Sequence, residues 1–268
     1  MIKLIQTGRQ VHSVIDLMDK YIVKFYTSRE VAINEASGLM VFRQISPNSS
    51  PKIVFRLGRL IIFNKLKSSE VDKSQICDGL AGVISQLSQT TVEDNSQWRA
   101  YLDQISQQFF DQKSIFQSQL KDKDIYLIED VLNYLNSIDW DSFPIQPLHR
   151  DLHLGNLIHT NSGVKIIDFE HFCYGPLEYE FSNSLLFADK SSLNINQIAQ
   201  KLHSYGVFFN LNLALMLTVV YFIEQFSKSC HKNDLIKQKI LAEKFITLTK
   251  TSAIFGGLSL SSKCLTDN

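Results

Sequence analysis

The sequence predicts an α+β chain of two lobes, a small antiparallel β-sheet lobe with one helix over residues 1–66 and a larger, mainly helical lobe over 67–268. Three observations predict it. The first 66 residues hold five short β-branched or aromatic runs and one stretch of helical period. From about residue 67 onward, apolar residues recur at helical spacing. That pattern breaks only at 145–168, where strand-like LIH and VKII flank Asn161-Ser162-Gly163.

Each element follows from local chemistry. KLIQ, VHSVIDL and YIVKFY read as strands, the last two joined by Met18-Asp19-Lys20 as a tight hairpin loop. Thr27 with Glu30 three residues on is a capping-box pattern, and it predicts a helix over about 28–45 with Ala32, Leu39 and Phe42 on one face. SPNSSP at 46–51 is turn-rich, and KIVFRL and RLIIFNKL then flank Gly58 as a second hairpin. Downstream, ICDGLAGVISQL, WRAYLDQISQQFF, IYLIEDVLNYLNSI and several segments of 195–250 read as helices. The longest apolar stretch, 211–226, is 16 residues. A membrane span needs roughly 20, so this stretch is expected to be a buried core helix.

Charge bears on the partners. Lys plus Arg equals Asp plus Glu at 27 each, so the zero net charge gives no whole-chain argument for nucleic acid or an anionic membrane, and neither is expected as a partner. Residues 1–66 carry a net +6 and residues 67–148 a net −7, which suggests surfaces of opposite sign. Cys77, Cys173, Cys230 and Cys264 are widely separated, so reduced thiols and a cytoplasmic location are expected. The N-terminal MIKLIQTGRQ has no long apolar run of the secretory kind.

Two charges fall on apolar faces. Lys24 sits inside YIVKFY, and Glu35 lies three residues after Ala32 and four before Leu39. A lone buried ion costs several kcal/mol, so the two are expected to pair across facing surfaces. Further on, HRDLHLGN at 149–156 and IIDFE at 166–170 gather three polar side chains. With Asn161-Ser162-Gly163 as a three-residue loop, Thr160 pairs with Val164 and Asn156 opposes Asp168. Opposed Cβ atoms lie about 4.5–5.5 Å apart, close enough for an amide oxygen and a carboxylate to share Mg²⁺, which takes oxygen ligands. Asp151 then stands beside the metal, where a carboxylate can orient a hydroxyl and take its proton.

On HRDLHLGN, IIDFE and CYGPLEYEFSN (173–183) the chain resembles the aminoglycoside phosphotransferase and choline kinase group, the small-molecule branch of the protein-kinase-like fold. The resemblance implies a bilobal kinase fold, with residues 1–66 as the nucleotide-binding lobe and 67–268 as the catalytic and substrate-binding lobe. It implies Asp151 as catalytic base, Asn156 and Asp168 as Mg²⁺ ligands, and Lys24, anchored by Glu35, on the phosphates of ATP. TGRQVHSV at 7–14 stands where a phosphate-covering loop belongs, with Ser13 as a contact, and IIFNKL at 61–66 resembles the adenine-binding hinge, with Asn64 to Leu66 as contacts. Glu180 stands where the family more often has Asp, and it is expected to brace the catalytic loop. Structural hydrogen bonding is expected of His149 and His153, whose spacing fits no common zinc pattern.

The implied activity is transfer of the γ-phosphoryl group of ATP to a hydroxyl of a small molecule, with the acidic middle leaning toward a cationic one such as an amino sugar or choline-like amine. Two other classes remain open: a catalytically silent nucleotide-binding module, and a protein kinase. DFE in place of DFG, the missing A-P-E and His153 two residues after Asp151 all depart from the protein-kinase pattern.

Overall fold

The computed structural model describes residues 2–6, 11–91, 95–188 and 193–251. In chain order, the first elements are β1 (Ile2–Gln6), β2 (Val11–Leu17), β3 (Tyr21–Tyr26), α1 (Arg29–Ile45), β4 (Ile53–Leu57), β5 (Leu60–Asn64) and α2 (Lys73–Leu87). α3 (Ser96–Asp111), α4 (Lys113–Gln119) and α5 (Asp122–Ser137) follow, then β6 (Gln146–Leu148), β7 (Leu157–Thr160), β8 (Gly163–Ile166) and β9 (Cys173–Gly175). The last are α6 (Ser182–Leu186), α7 (Ile195–Ser204), α8 (Leu211–His231) and α9 (Leu235–Thr251).

The chain divides into two compact units, and the first comprises residues 1–93, 144–184 and 189–209. It therefore runs past residue 66. The turn at 46–51 and residue 69 are tied to the downstream hairpin: Ile166 N donates to Ser49 O (2.6 Å) and Ser69 N to His159 O (2.8 Å). The five-stranded antiparallel sheet of this unit has the order β1-β2-β3-β5-β4, so Lys24 lies on a central strand.

α1 packs with Ala32, Glu35, Ala36, Gly38, Leu39 and Phe42 buried, the i, i+3, i+4, i+7 spacing of one helical face. Its cap is Ser28, not Thr27. Ser28 has extended backbone (φ −134°) and its hydroxyl accepts from Val31 N at 3.2 Å, so the helix starts one residue later than the Thr27/Glu30 pattern implied. Gly38 permits close approach to the segment after Asp168: a Cβ there would lie 2.8 Å from Phe172 Cβ and 2.9 Å from Phe169 Cδ1. Phe42 completes this contact, edge-on to Phe169 at 4.7 Å between ring centroids.

The second unit comprises residues 94–143, 185–188 and 210–268. Its centre is α8, long and apolar enough by length and composition to cross a membrane, yet with Leu213–Glu224 continuously buried, Glu224 included. α3, α5 and α9 cover it. Phe222 stacks on Phe245 (4.3 Å) and Phe116 lies 4.3 Å from Phe226, an aromatic core that makes the apolar stretch at 211–226 the buried core helix expected from the sequence.

Candidate active site

Lys24 and Glu35 meet inside the first unit. Lys24 Nζ lies 3.2 Å from Glu35 Oε1 and 2.7 Å from Asp168 Oδ1, with the Lys24 side chain 12% and the Glu35 side chain 2% exposed. Burial works against the ammonium, but the carboxylates of Glu35 and then Asp168 outweigh it and hold the Lys24 pKa above its usual range. Burial pushes Glu35 upward by more than Lys24 draws it down. For Asp168 burial also acts upward, yet the charge and hydrogen bond of Lys24 leave it below the usual carboxylate value. The 2.7 Å contact and these directions describe a charged Lys24 held between two carboxylates. Tyr26, two residues on from Lys24 and 1% exposed, packs beside them, and burial followed by the charge of Glu35 raises its phenol pKa.

The hairpin register differs from the predicted one by one residue. Thr160 pairs with Gly163 and Leu157 with Ile166, around a two-residue Asn161-Ser162 turn. Gly163, at φ 100°, joins the ladder because its carbonyl accepts from the Thr160 hydroxyl (2.9 Å), so it is a strand residue and not part of the loop. Asn156 consequently does not oppose Asp168; its carbonyl accepts from Ile167 N at 3.0 Å. The two side chains meet by another route. Asn156 ends a 3₁₀ turn (Leu154–Asn156), and Asp168 leaves the strand in the left-handed conformation (φ 71°, ψ 59°). Both line one cavity of about 500 Å³, together with Lys24, Glu35, Phe63 and Glu170.

Asp151 lies behind Asn156. Asn156 Nδ2 donates to Asp151 O (2.9 Å) and Asp151 Oδ2 (3.1 Å), which leaves the carbonyl oxygen of the Asn156 side chain as its remaining donor atom. The loop backbone is held by Glu180, whose two oxygens accept from His149 N (2.7 Å) and Arg150 N (2.8 Å). Burial pushes Glu180 up to about 8, against those two N–H bonds, which favour the anion. Glu180 braces the loop as the sequence reading expected of it. Arg150 sits in the left-handed region (φ 70°), with its guanidinium 5.4 Å from the Tyr179 ring centroid.

His149 is fully buried. Its Nε2 donates to Ile167 O (2.8 Å) and its Nδ1 accepts from Asp151 N (3.2 Å), which fixes a neutral tautomer, and burial lowers its pKa to about 4. His153 Nδ1 accepts from Gly155 N at 3.0 Å, capping the 3₁₀ turn.

The remaining predicted contacts divide. Asn64 and Leu66 line the cavity with Lys65. The N–H groups of Asn64 and Lys65 are already committed to Lys52 O (3.1 Å) and Lys20 O (2.9 Å), so in this stretch Leu66 keeps the N–H without a partner among the described residues. Ser13 is not brought to the cavity. It stands in β2 opposite Phe25, while Val14 pairs with Lys24 and lines the cavity, because successive strand residues face opposite sides. Residues 7–10 of the expected phosphate loop lie outside the described residues.

Three side chains had no place in the sequence reading. Asn34 Nδ2 donates to Glu170 O (2.8 Å) and Phe172 O (3.0 Å), joining α1 to the segment after Asp168. Lys65 Nζ holds Asp16 Oδ2 (2.6 Å) and Asp19, beside the positive-φ residues Met18 and Asp19. Asn183 contacts Asp151. The polar-residue position of Asn34, one before Glu35 in a helix whose face was legible, is the one signal that could have found any of them.

Several solved structures share this architecture. The streptomycin–ATP–APH(2")-IIa ternary complex matches with a TM-score of 0.66 at 16% identity, over 95% of this chain and 93% of that one. A GDP and kanamycin complex of an APH(2") enzyme matches at 0.71 and 13% identity, over 94% of each chain. The macrolide 2'-phosphotransferase MphH from Brachybacterium faecium matches at 0.62 and 14% identity, over 91% of each. At these identities the likeness establishes the fold, which is protein-kinase-like. No curated protein matches the chain in sequence. The model of the phosphotransferase enzyme family matches residues 19–214, most of the chain and every described site residue from Lys24 to Glu180, and on that match the chain belongs to this family.

Proposed function

We propose that this phosphotransferase moves the γ-phosphoryl group of ATP to a hydroxyl of a small molecule, with Asp151 as the base. The observation that carries the reading is the convergence of Lys24, Asn156 and Asp168 on one cavity, with Asp151 hydrogen-bonded to Asn156 behind it. Lys24, braced by Glu35, provides a fixed positive charge for the phosphates. Leu66 N–H and the carbonyl of Asn64 are the groups that suit an adenine edge. Asp151 accepts a hydrogen bond from the acceptor hydroxyl and takes its proton as the new P–O bond forms and the bond to ADP breaks.

The donor set suits Mg²⁺. Asn156 presents a neutral oxygen and Asp168 an anionic one into the same cavity, both hard ligands of the kind that ion prefers. Bound there, it would neutralise charge on the phosphate oxygens. In this reading residues 1–66 form the nucleotide-binding lobe and residues 67–268 the catalytic and acceptor-binding lobe, working in a cytoplasm where Cys77, Cys173 and Cys230 stay reduced.

The net −7 of residues 67–148 supports a cationic acceptor, and relatives of the same fold were solved with kanamycin and streptomycin. DFE in place of DFG, the absence of A-P-E from the sequence and His153 two residues after Asp151 weigh against a protein substrate. The test is ADP formation from ATP·Mg²⁺ with a panel of aminoglycosides, macrolides, choline and casein. Turnover on one of the small molecules, lost in Asp151→Ala with the thermal midpoint kept, is expected. Nucleotide binding with no turnover on any acceptor would instead identify a silent module, and turnover on casein alone a protein kinase.

A further inference from the structure

Asn183, in the first turn of α6, reaches the carboxylate on which the proposed chemistry depends. Its Nδ2 donates to Asp151 Oδ1, while Asn156 Nδ2 donates to Asp151 Oδ2 at 3.1 Å. The next residue, Ser184, is buried and donates its hydroxyl to Leu152 O at 2.5 Å. Residues 183 and 184 thus hold both the side chain of Asp151 and the backbone that follows it.

The two amides are not equivalent. Asn156 lines the cavity, so Oδ2 is the oxygen tied to a cavity-lining residue. Asn183 is not among the cavity-lining residues and holds the other oxygen, Oδ1. A carboxylate anchored through one oxygen alone can rotate about its Cβ–Cγ bond, a soft torsion; anchored through both, it keeps one oxygen's remaining lone pair directed at the cavity. We infer that Asn183 is a positioning residue for phosphoryl transfer, setting the rotation of the Asp151 carboxylate so that Oδ2 faces the acceptor hydroxyl. The inference rests on the reading of Asp151 as the base.

Asn183 is partly exposed, so replacing it leaves no sealed cavity. Asn183→Leu keeps much of the volume and removes the donor. Its kcat for ADP release from ATP·Mg²⁺, with the most active acceptor of the panel or with water alone, is expected to fall about 10–100-fold, as for other groups that orient a reacting ligand. The KM for ATP·Mg²⁺ is expected to stay at the wild-type value, because Asn183 is not among the residues that line the cavity. Asn183→Gln, which keeps an amide donor, should recover part of the rate, and it replaces the Leu variant as the test should that one fail to fold.

In an Asp151→Ala background, Asn183→Leu should cost nothing further, since the group it orients is gone. A wild-type kcat in Asn183→Leu, or a loss that multiplies fully with that of Asp151→Ala, would overturn the inference while leaving Asp151 as base. Full activity in Asp151→Ala would overturn the base assignment itself, and with it the role of Asn183.

Discussion

Lys24 and Glu35 stand in the middle of regular elements, whereas Asp151 and Asp168 stand on backbone that is neither helix nor strand and Asn156 ends a single 3₁₀ turn. The contrast teaches how each half of the site is held. On the first side, the pleat of β3 and the repeat of α1 aim two charges at each other, and the sheet and the buried face of α1 supply the rigidity. On the second side, Arg150 and Asp168 sit at φ 70° and 71°, conformations that cost a non-glycine residue of order 1 kcal/mol or more. Specific hydrogen bonds must hold them there, and Glu180, His149 and Asn156 provide those. Asp168 lines the cavity and Arg150 precedes Asp151, and backbone strain of this kind clusters at functional sites.

The comparison can be broken most sharply on the regular side. Glu35→Ala leaves Lys24 buried with only Asp168, and its expected cost is about 3–5 kcal/mol in denaturant unfolding, as for other broken buried pairs. A loss below about 1 kcal/mol would mean that the pair adds little to the packing of α1 on the sheet.

On the irregular side the expected effect is one of pH. His149 is neutral when folded, with a pKa lowered to about 4 by burial, against an ordinary value of 6.5. Between those values the unfolded chain binds the proton and the folded chain does not, so stability is fully present above pH 6.5 and falls as the pH drops toward 4. The integrated loss is roughly 3 kcal/mol. Unfolding free energies at pH 7 and pH 4.5, compared between wild type and His149→Gln, should show this slope flattened in the variant.

The smallest expected effect sharpens the boundary of α1. Ser28→Ala removes the hydroxyl that accepts from Val31 N and should cost about 1 kcal/mol. An unchanged thermal midpoint would show that burial of Leu39 and Phe42, and not the cap, fixes where the helix begins.

The sheet, α1 and the buried α8 were legible because alternation and the 3.6-residue repeat are properties of short stretches. Lys24 and Glu35 were legible for the same reason, as charges in apolar patterns. The hairpin was legible in kind but not in register: a three-residue loop at 161–163 and a two-residue turn at 161–162 look alike until the Thr160 hydroxyl is seen on Gly163 O. Ser13 was misplaced because one step along a strand reverses the face, and the cavity side is set by pairing with β3. Asn34 offered only its place one residue before Glu35, and Asn183 carried no pattern at all, since a single amide reports its partner only when distant backbone arrives beside it.

The sequence by itself determined the order of elements, the pairing of two buried charges and which polar groups are candidates for the proposed phosphoryl transfer, because hydrophobic period and the cost of burying a lone ion act locally or in pairs. Tertiary structure decided how those groups meet. Asn156 and Asp168 converge through a 3₁₀ turn and a left-handed residue and not through opposed strand positions, and Asp151 takes its orientation from residues as far along the chain as 183. Conformations of that kind are unfavourable alone and persist only where hydrogen bonds from elsewhere in the chain outweigh their cost.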